Sequence, residues 1–358
     1  MDHLLLVVSI ALSCCSTGAL STGAEIARVA AAGGTNSVVQ GLLDRVRRND
    51  RAGKAARSAR AFVVGDQTLG RVLPRSADVL SRFPSVFSVT DDAVTVIDRA
   101  EWGTKEDGVS GLVSYRSDAV RGALEEMRDR DMVPALRGWR DEPFAVRETF
   151  HSEPELIVER AAAVLFGAPA YGVFVNGYTR EKGGGSGKGG SDITHVWAGR
   201  RSSDKATWPG RLDSLAAGGL AAGMLPCRAM WNECAEEAGI SDELLAENLR
   251  AVSAVSYTGY NDDMWGLKRD VLFCFDLELP PEFNPVPIDG EMDGFDKLPV
   301  ERLVQMLTAP VNEDDSDNEW KPNVGVVLID FLVRHGAVDV DDPAFLELLS
   351  SLRGAKCT

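Results

Sequence analysis

The stretch that most restricts this chain runs from Gly218 to Ile240, GGLAAGMLPCRAMWNECAEEAGI. A glycine pair precedes a short predicted helix carrying Glu233, Glu236 and Glu237, and Gly239 ends it. Residues three and four apart are neighbours on a helix, so Glu233 faces both Glu236 and Glu237. Like charges so placed repel and destabilise an isolated helix. A divalent cation reverses that penalty, and Mg2+ is usually held by carboxylates together with substrate phosphates. The arrangement points to a metal site acting on phosphate esters. A glutamate cluster by itself is more often a solvated helix face, so the flanking sequence must decide.

A length of 358 residues favours about two domains, and 44% hydrophobic content suffices for two cores. The net charge of -16 excludes a general nucleic-acid binder, which would carry surplus Lys and Arg. An acidic enzyme still binds an anion when a cation bridges the two. The six cysteines, Cys14, Cys15, Cys227, Cys234, Cys274 and Cys357, form no paired CxxC array, which argues against structural zinc. They do not read as a disulfide framework either, which predicts a reducing compartment. His3, His151, His195 and His335 make no HExxH pattern, and no GxSxG elbow is present.

Leu4 to Leu12 is an apolar run too short to span a bilayer, and small residues follow to Ala24. It resembles the apolar region and cleavage zone of a signal peptide, although Asp2 and His3 stand where Lys or Arg is expected. Residues 1–24 are read as a targeting leader to an organelle, plastid or mitochondrion. The plain alternative is a leader without function and a cytoplasmic protein. No later segment has the length and apolarity of a membrane helix, so no membrane partner is expected for the mature protein.

Downstream, Ser37 to Ala56 is basic, with Val38, Val39, Leu42, Leu43 and Val46 on one helical side. Phe62–Val64, Leu69–Leu73, Val86–Ser88 and Ala93–Ile97 read as strands, and 77–83, 117–128 and 154–166 as helices. From 134 to 146 the chain reads as extended. A second block starts near Ala170, with strands over 171–178, 193–200, 249–256 and 269–277 and helices over 300–307 and 323–335. Lys182 to Gly190, KGGGSGKGG, resembles a phosphate-binding loop, but Gly189 follows Lys188 where Ser or Thr is required. A flexible hairpin tip is the better reading. Glu313 to Asn318 reads as an exposed acidic loop.

The stretch Gly218 to Ile240 resembles the Nudix box. That pattern is glycine, five residues, Glu, seven residues, Arg-Glu, an apolar residue, any residue, Glu-Glu, any residue, Gly and an apolar residue. Gly218, Glu233, Glu236, Glu237, Gly239 and Ile240 match, and Cys234 fills an apolar slot. Met224 replaces the first glutamate and Asn232 replaces the arginine. The wider chain, roughly 55 to 345, resembles the Nudix subfamily with an extra N-terminal domain (DUF4743-type) linked to thiamine diphosphate metabolism. RGWRDEPFAV (Arg137–Val146), ERAAAVLFG (Glu159–Gly167), YGVFVNGY (Tyr171–Tyr178) and the run Trp197–Gly219 carry that likeness. So do KRDVLFCFDLELP (Lys268–Pro280), DGEMDGF (Asp289–Phe295), KPN (Lys321–Asn323) and IDFLVRHG (Ile329–Gly336).

The resemblance implies an α/β fold: a Nudix α/β/α sandwich with a mixed sheet, preceded by a smaller α+β domain. The expected layout is an accessory domain over 35–168, a Nudix domain over 169–340 and a tail over 341–358. It also implies roles. Glu233 and Glu237 become metal ligands, Glu236 binds a second metal or orients the water, and the Ala217 carbonyl is a further ligand. Glu291 is a ligand or general base, or else an exposed loop acid. Hard oxygen donors of this kind suit Mg2+, with Mn2+ possible. Asn232 cannot make the charged bidentate pair of the usual arginine. Arg200, Arg201, Lys205, Lys268 and Arg269 are candidates for diphosphate contacts, or surface charges. Trp208 either stacks on a substrate ring or is core. Pro209, Gly210 and Asp213 are read as turn-shaping residues.

The expected reaction is Mg2+-dependent hydrolysis of a small-molecule organic diphosphate. The implied substrate is thiamine diphosphate or its damaged oxy and oxo derivatives, cut to the monophosphate. Alternatives are a broader nucleoside-diphosphate-X hydrolase acting on ADP-ribose-like molecules, or a catalytically silent diphosphate-binding module.

Overall fold

Apolar side chains collect on either side of one long sheet and beneath a second, smaller one, and the chain passes between the two sheets more than once. The computed structural model describes residues 37–99, 109–181, 192–205, 207–261, 264–310, 312 and 318–354. The leader over 1–24, the glycine-rich tip and most of the acidic loop at 313–318 lie outside the described residues.

The described chain starts with helices α1 (Val38–Asn49) and α2 (Gly53–Ser58). Strands β1 (Arg60–Val64) and β2 (Gln67–Val72) form a hairpin whose turn uses Gly65 at φ 63°. Helix α3 (Pro74–Leu80) and strands β3 (Phe87–Val89) and β4 (Ala93–Val96) complete a sheet of order β2-β1-β4-β3. Helix α4 (Val109–Asp129) buries Val120, Leu124 and Met127 in this core. A two-stranded ribbon, β5 (Pro143–Val146) with β6 (Leu156–Glu159), and the short α5 (Ala163–Phe166) close it. Phe166 stacks on Phe62 with ring centroids 4.5 Å apart.

The large sheet contains β7 (Pro169–Glu181), β8 (Asp192–Arg201), β9 (Leu212–Asp213) and β10 (Ala216–Gly219). Helices α6 (Pro226–Ala238) and α7 (Asp242–Asn248) follow, then β11 (Leu249–Tyr260), β12 (Leu267–Glu278) and β13 (Met292–Pro299). The order is β11-β12-β7-β8-β13, with β7 and β12 parallel and the other pairs antiparallel. One edge of β7 is shared: β10 takes its first half and β8 its second. The split opens the sheet where the site lies. Helices α8 (Val300–Thr308), α9 (Pro322–Arg334) and α10 (Phe345–Ser351) finish the chain.

Strand side chains alternate between faces. Val173, Val175, Val271 and Phe275 face α6, whereas Phe174, Leu272 and Cys274 face α1, α8 and α9. Helices therefore cover both faces of a mixed sheet, the expected α/β/α sandwich beside a smaller α+β unit.

The packing qualifies two of the sequence readings and corrects a third. At the start of the span 35–168 read as the accessory domain, α1 buries Val39, Leu42, Leu43 and Val46 in the core of the large sheet. Its buried Arg45 donates to the carbonyls of Leu307 and Met306 at the end of α8, 2.6 and 3.0 Å away. That cation offsets the negative pole of α8. Of the span 341–358 read as a tail, the described part to 354 is packed: Leu348 of α10 and Leu352 just after it are buried in that same core, with α10 on α1. The predicted helix over 154–166 starts as a strand: Leu156–Glu159, LIVE, pairs with Pro143–Val146, and only Arg160–Phe166 turns helical, as a 3-10 turn followed by α5.

Candidate active site

Pro226 sits in the first turn of α6, where its fixed φ suits a helix start, and Gly239 at φ 62° ends the helix with a left-handed cap. Ala229, Met230, Cys234 and Ala238 bury one face against the sheet. The three glutamates are thereby carried toward β10. Glu237 is 2% exposed, and its carboxylate accepts the Ala217 N–H at 2.9 Å. In an antiparallel pair alternate residues turn N–H and C=O out of the ladder. Ala217 is such a residue, so its carbonyl faces the same side as Glu237. A Cβ on Gly218 would sit 1.8 Å from Glu233 Oε1. Only glycine lets Glu233 cross the strand there.

The loop after β12 brings two more acids. Val286 N–H donates to the Ala238 carbonyl at 3.2 Å, which ties the loop to the end of α6. Glu291 N–H donates to Asp289 Oδ1 at 2.8 Å, and its carbonyl accepts from Ser202 N–H at 2.9 Å. Glu237, Asp289 and Glu291 each then offer a carboxylate oxygen within 4.8 Å of the other two. Glu233 and Glu236 line the same cavity, which has a volume of about 510 Å³. Asp289 was not singled out from sequence. Its signal was the alternation of acids around Gly290 in DGE, which a surface turn would show equally.

Electrostatics make this cluster unstable as a set of free anions. Burial, then repulsion from Glu236 and Glu291, pushes Glu233 up to about 7. Burial pushes Glu237 well above the ordinary range, against its hydrogen bond from Ala217 and with repulsion from Asp213, Glu233 and Glu291. Burial also acts to raise Glu291, but the Lys205 ammonium at 2.5 Å and a hydrogen bond with Glu237 hold it below its usual value. Burial likewise pushes the Cys234 thiol up, so it is no nucleophile. Hard oxygen donors that resist joint ionisation fit a divalent cation such as Mg2+.

The basic candidates divide. Lys205, Lys268, Arg201 and Trp208 line the cavity, and Arg140 and Arg160 of the N-terminal unit join them. Arg201 is buried and already engaged: it donates to Asp213 at 2.8 Å and to the Thr207 and Trp208 carbonyls. Asp213, read as a turn residue, is a buried anchor that also binds Lys321 at 2.9 Å. Trp208 is half-buried at the rim, with φ 54° and the Arg211 guanidinium 4.5 Å from its ring centroid. Two candidates leave the set. Arg200 pairs with Asp296 at 2.5 Å beside a separate open pocket, and Arg269 donates to the Gly167 carbonyl at 3.2 Å, away from the cavity.

Residues 41–170 match a family described as a domain of unknown function, DUF4743. The chain is 32% identical over 332 residues to "Nudix hydrolase 20, chloroplastic" of Arabidopsis thaliana, covering 90% of this chain and 80% of that protein. It is 32% identical over 323 residues, with the same coverage, to "Nudix hydrolase 24, chloroplastic" of the same plant. An uncharacterized protein of Saccharomyces cerevisiae is 29% identical over 248 residues, covering 66% of this chain and 68% of that one. Among the described residues no helix is long and apolar enough to cross a membrane.

Proposed function

Since the chain belongs to the Nudix hydrolases, enzymes that cleave P–O–P anhydrides, we propose that it hydrolyses thiamine diphosphate or its oxy and oxo derivatives with Mg2+. Water attacks a phosphorus, the bridging P–O bond breaks, and the products are the monophosphate and inorganic phosphate. The carrying observation is the grouping of Glu237, Asp289 and Glu291 within 4.8 Å of one another at the edge of a cavity that Asp289, Glu291, Glu233 and Glu236 line. The substrate reading draws on Arg137–Val146 and Glu159–Gly167, two segments that tie the chain to this subfamily. They line the cavity through Arg140, Glu142, Phe144 and Arg160.

Glu233, Glu237, Asp289 and Glu291, with the Ala217 carbonyl, would hold the metal. Bound there, it neutralises the diphosphate and lowers the pKa of the attacking water. Glu291, held low by Lys205, is a poor proton acceptor and serves as a ligand. Glu236, exposed at the cavity lip, orients the water. Lys205 meets the outer phosphate oxygens, Lys268 stays with Asp270 at 3.6 Å, and Arg160 stands over Gly219 on the facing wall. Chromatographic product analysis with the purified chain, with and without Mg2+, tests the reading: thiamine diphosphates should give the monophosphate and inorganic phosphate, whereas ADP-ribose would give AMP and ribose 5-phosphate. Turnover of ADP-ribose alone would sink the proposed substrate. The compartment proposed is an organelle, as for the two plant relatives named chloroplastic. A fusion of residues 1–36 to a fluorescent protein that stayed diffuse in the cytosol would overturn that.

A further inference from the structure

We infer that the cavity wall on the other face of the sheet from α6 is a recognition subsite for an amino-bearing planar nitrogen heterocycle, read by Asn323. The inference deepens the function proposed above, because it assigns the part of the substrate that carries no phosphate.

Asn323 is the second residue of α9, is 7% exposed and lines the cavity. Its Oδ1 is buried with no hydrogen-bond partner. A buried acceptor left unpaired costs about 1–3 kcal/mol, so native proteins seldom keep one without a use. The floor beside it is flat. In the paired strands Asp270 lies opposite Ala170 and Leu272 opposite Gly172, all turned to the face of Phe174. Ala170 and Gly172 raise no bulky side chain, and a Cβ on Gly172 would already press on the Gly218 carbonyl at 3.1 Å. The floor is therefore apolar and planar, edged by the Phe174 ring.

Two residues with acceptor groups line the cavity beside it, Asn323 and Asp270. Asp270 is 6% exposed, takes the Tyr257 hydroxyl and lies 3.6 Å from Lys268. A carboxylate can accept several hydrogen bonds, so it keeps capacity for a ligand donor. Its charge disfavours phosphate at this end, which leaves the diphosphate to the metal side. Lys321 is tied to Asp213 and lies over Phe174, 5.4 Å from the ring centroid. A flat ring with N–H donors on its edge fits all these groups, and an exocyclic amine supplies such donors.

The experiment compares KM for thiamine diphosphate and its 4-desamino analogue in wild type and Asn323→Leu. Wild type should prefer the amino form about tenfold, the value of one hydrogen bond. Asn323→Leu should bring that ratio close to one by raising KM for the amino form, with kcat little changed. Its unfolding temperature should hold or rise, since an unpaired polar atom is removed. If leucine does not fit, Asn323→Ala makes the same test. A ratio that survives in the variant, or a loss confined to kcat, overturns the inference. If the enzyme turns over only ADP-ribose, the proposed substrate fails, and ADP-ribose with its 6-desamino analogue supplies the contrast. If it hydrolyses neither, calorimetric binding of the four compounds reads the ratio, and equal binding by wild type overturns the subsite.

Discussion

The two walls of the cavity carry opposite charges in different states. On the wall built by α6 and the loop after β12, Glu233, Glu236, Asp289 and Glu291 line the cavity, and the buried Glu237 lies behind them within 4.8 Å of Asp289 and Glu291, five carboxylates in all. Among the described residues, Glu291 is the one of these five with a salt-bridge partner, Lys205. On the wall from the N-terminal unit, Arg160 is already paired with Glu142 at 2.8 Å. Below it, Arg201 and Lys321 are both held by Asp213. Arg140 also faces the acids and helps hold Glu291 low, so the acidic wall is only partly offset and keeps protons until a cation replaces them. Under the function proposed above, a cation bound there would bridge the acids to an anionic substrate. An overall acidic chain that handles phosphate is then no contradiction.

The largest test of this contrast is Glu237→Gln. The amide is isosteric and can still accept the Ala217 N–H, so the fold should survive. Losing one charged group that stabilises a transition state costs about 10²–10³ in kcat. Steady-state phosphate release measures it, with circular dichroism as the control. Unchanged kcat would move the metal site away from α6. Next in size is Gly218→Ala. Its methyl would occupy the place of Glu233 Oε1, and overpacking of this kind costs about 1–3 kcal/mol. The expected result is weaker Mg2+ binding by calorimetry, roughly tenfold or more, with smaller loss of thermal stability. Equal metal affinity would show that Glu233 is no ligand.

Much of this was legible in the sequence, and the boundary is physical. The helix period alone put the three glutamates together, and Gly239 marked the end of α6, because both are local. Asp289 was not legible, since only the tie from Val286 to Ala238 brings its loop over the helix. The period of 38–49 revealed a buried face but not its partner, and that partner is α8 and α9 some 260 residues on. Arg200 and Arg269 looked equivalent to Lys205 until the fold gave one an aspartate and the other a carbonyl.

A pH series sharpens the acidic wall further. An unfolded glutamate titrates near 4.5, whereas burial and like charges raise Glu233 to about 7. The fold thus favours its neutral form. In metal-free protein that stabilisation is full below about 4.5 and is lost as pH rises through about 7. Metal binding needs the anion, so apparent Mg2+ affinity should climb about tenfold per pH unit from 5 to 7 for each proton displaced. Mg2+ should accordingly raise the melting temperature at pH 8 and hardly at pH 5. A pH-independent Mg2+ effect would remove Glu233 from the metal's reach.

The smallest expected effect tests the other wall. Arg160 sits where a Cβ on Gly219 would lie 3.0 Å from its guanidinium, and its charge partly offsets the repulsion on Glu233. Because it is paired with Glu142 and 40% exposed, it has little free charge to offer an empty site. Exposed pairs are worth about 0–1 kcal/mol. Arg160→Ala should therefore leave Mg2+ affinity nearly unchanged and raise KM several-fold, because its donors turn to phosphate only when the metal brings one. The Glu142→Gln variant should do the reverse, freeing Arg160 and lowering KM slightly. If Arg160→Ala instead abolished metal binding, the N-terminal wall would belong to the cation site itself, and the division of labour between the two walls would collapse.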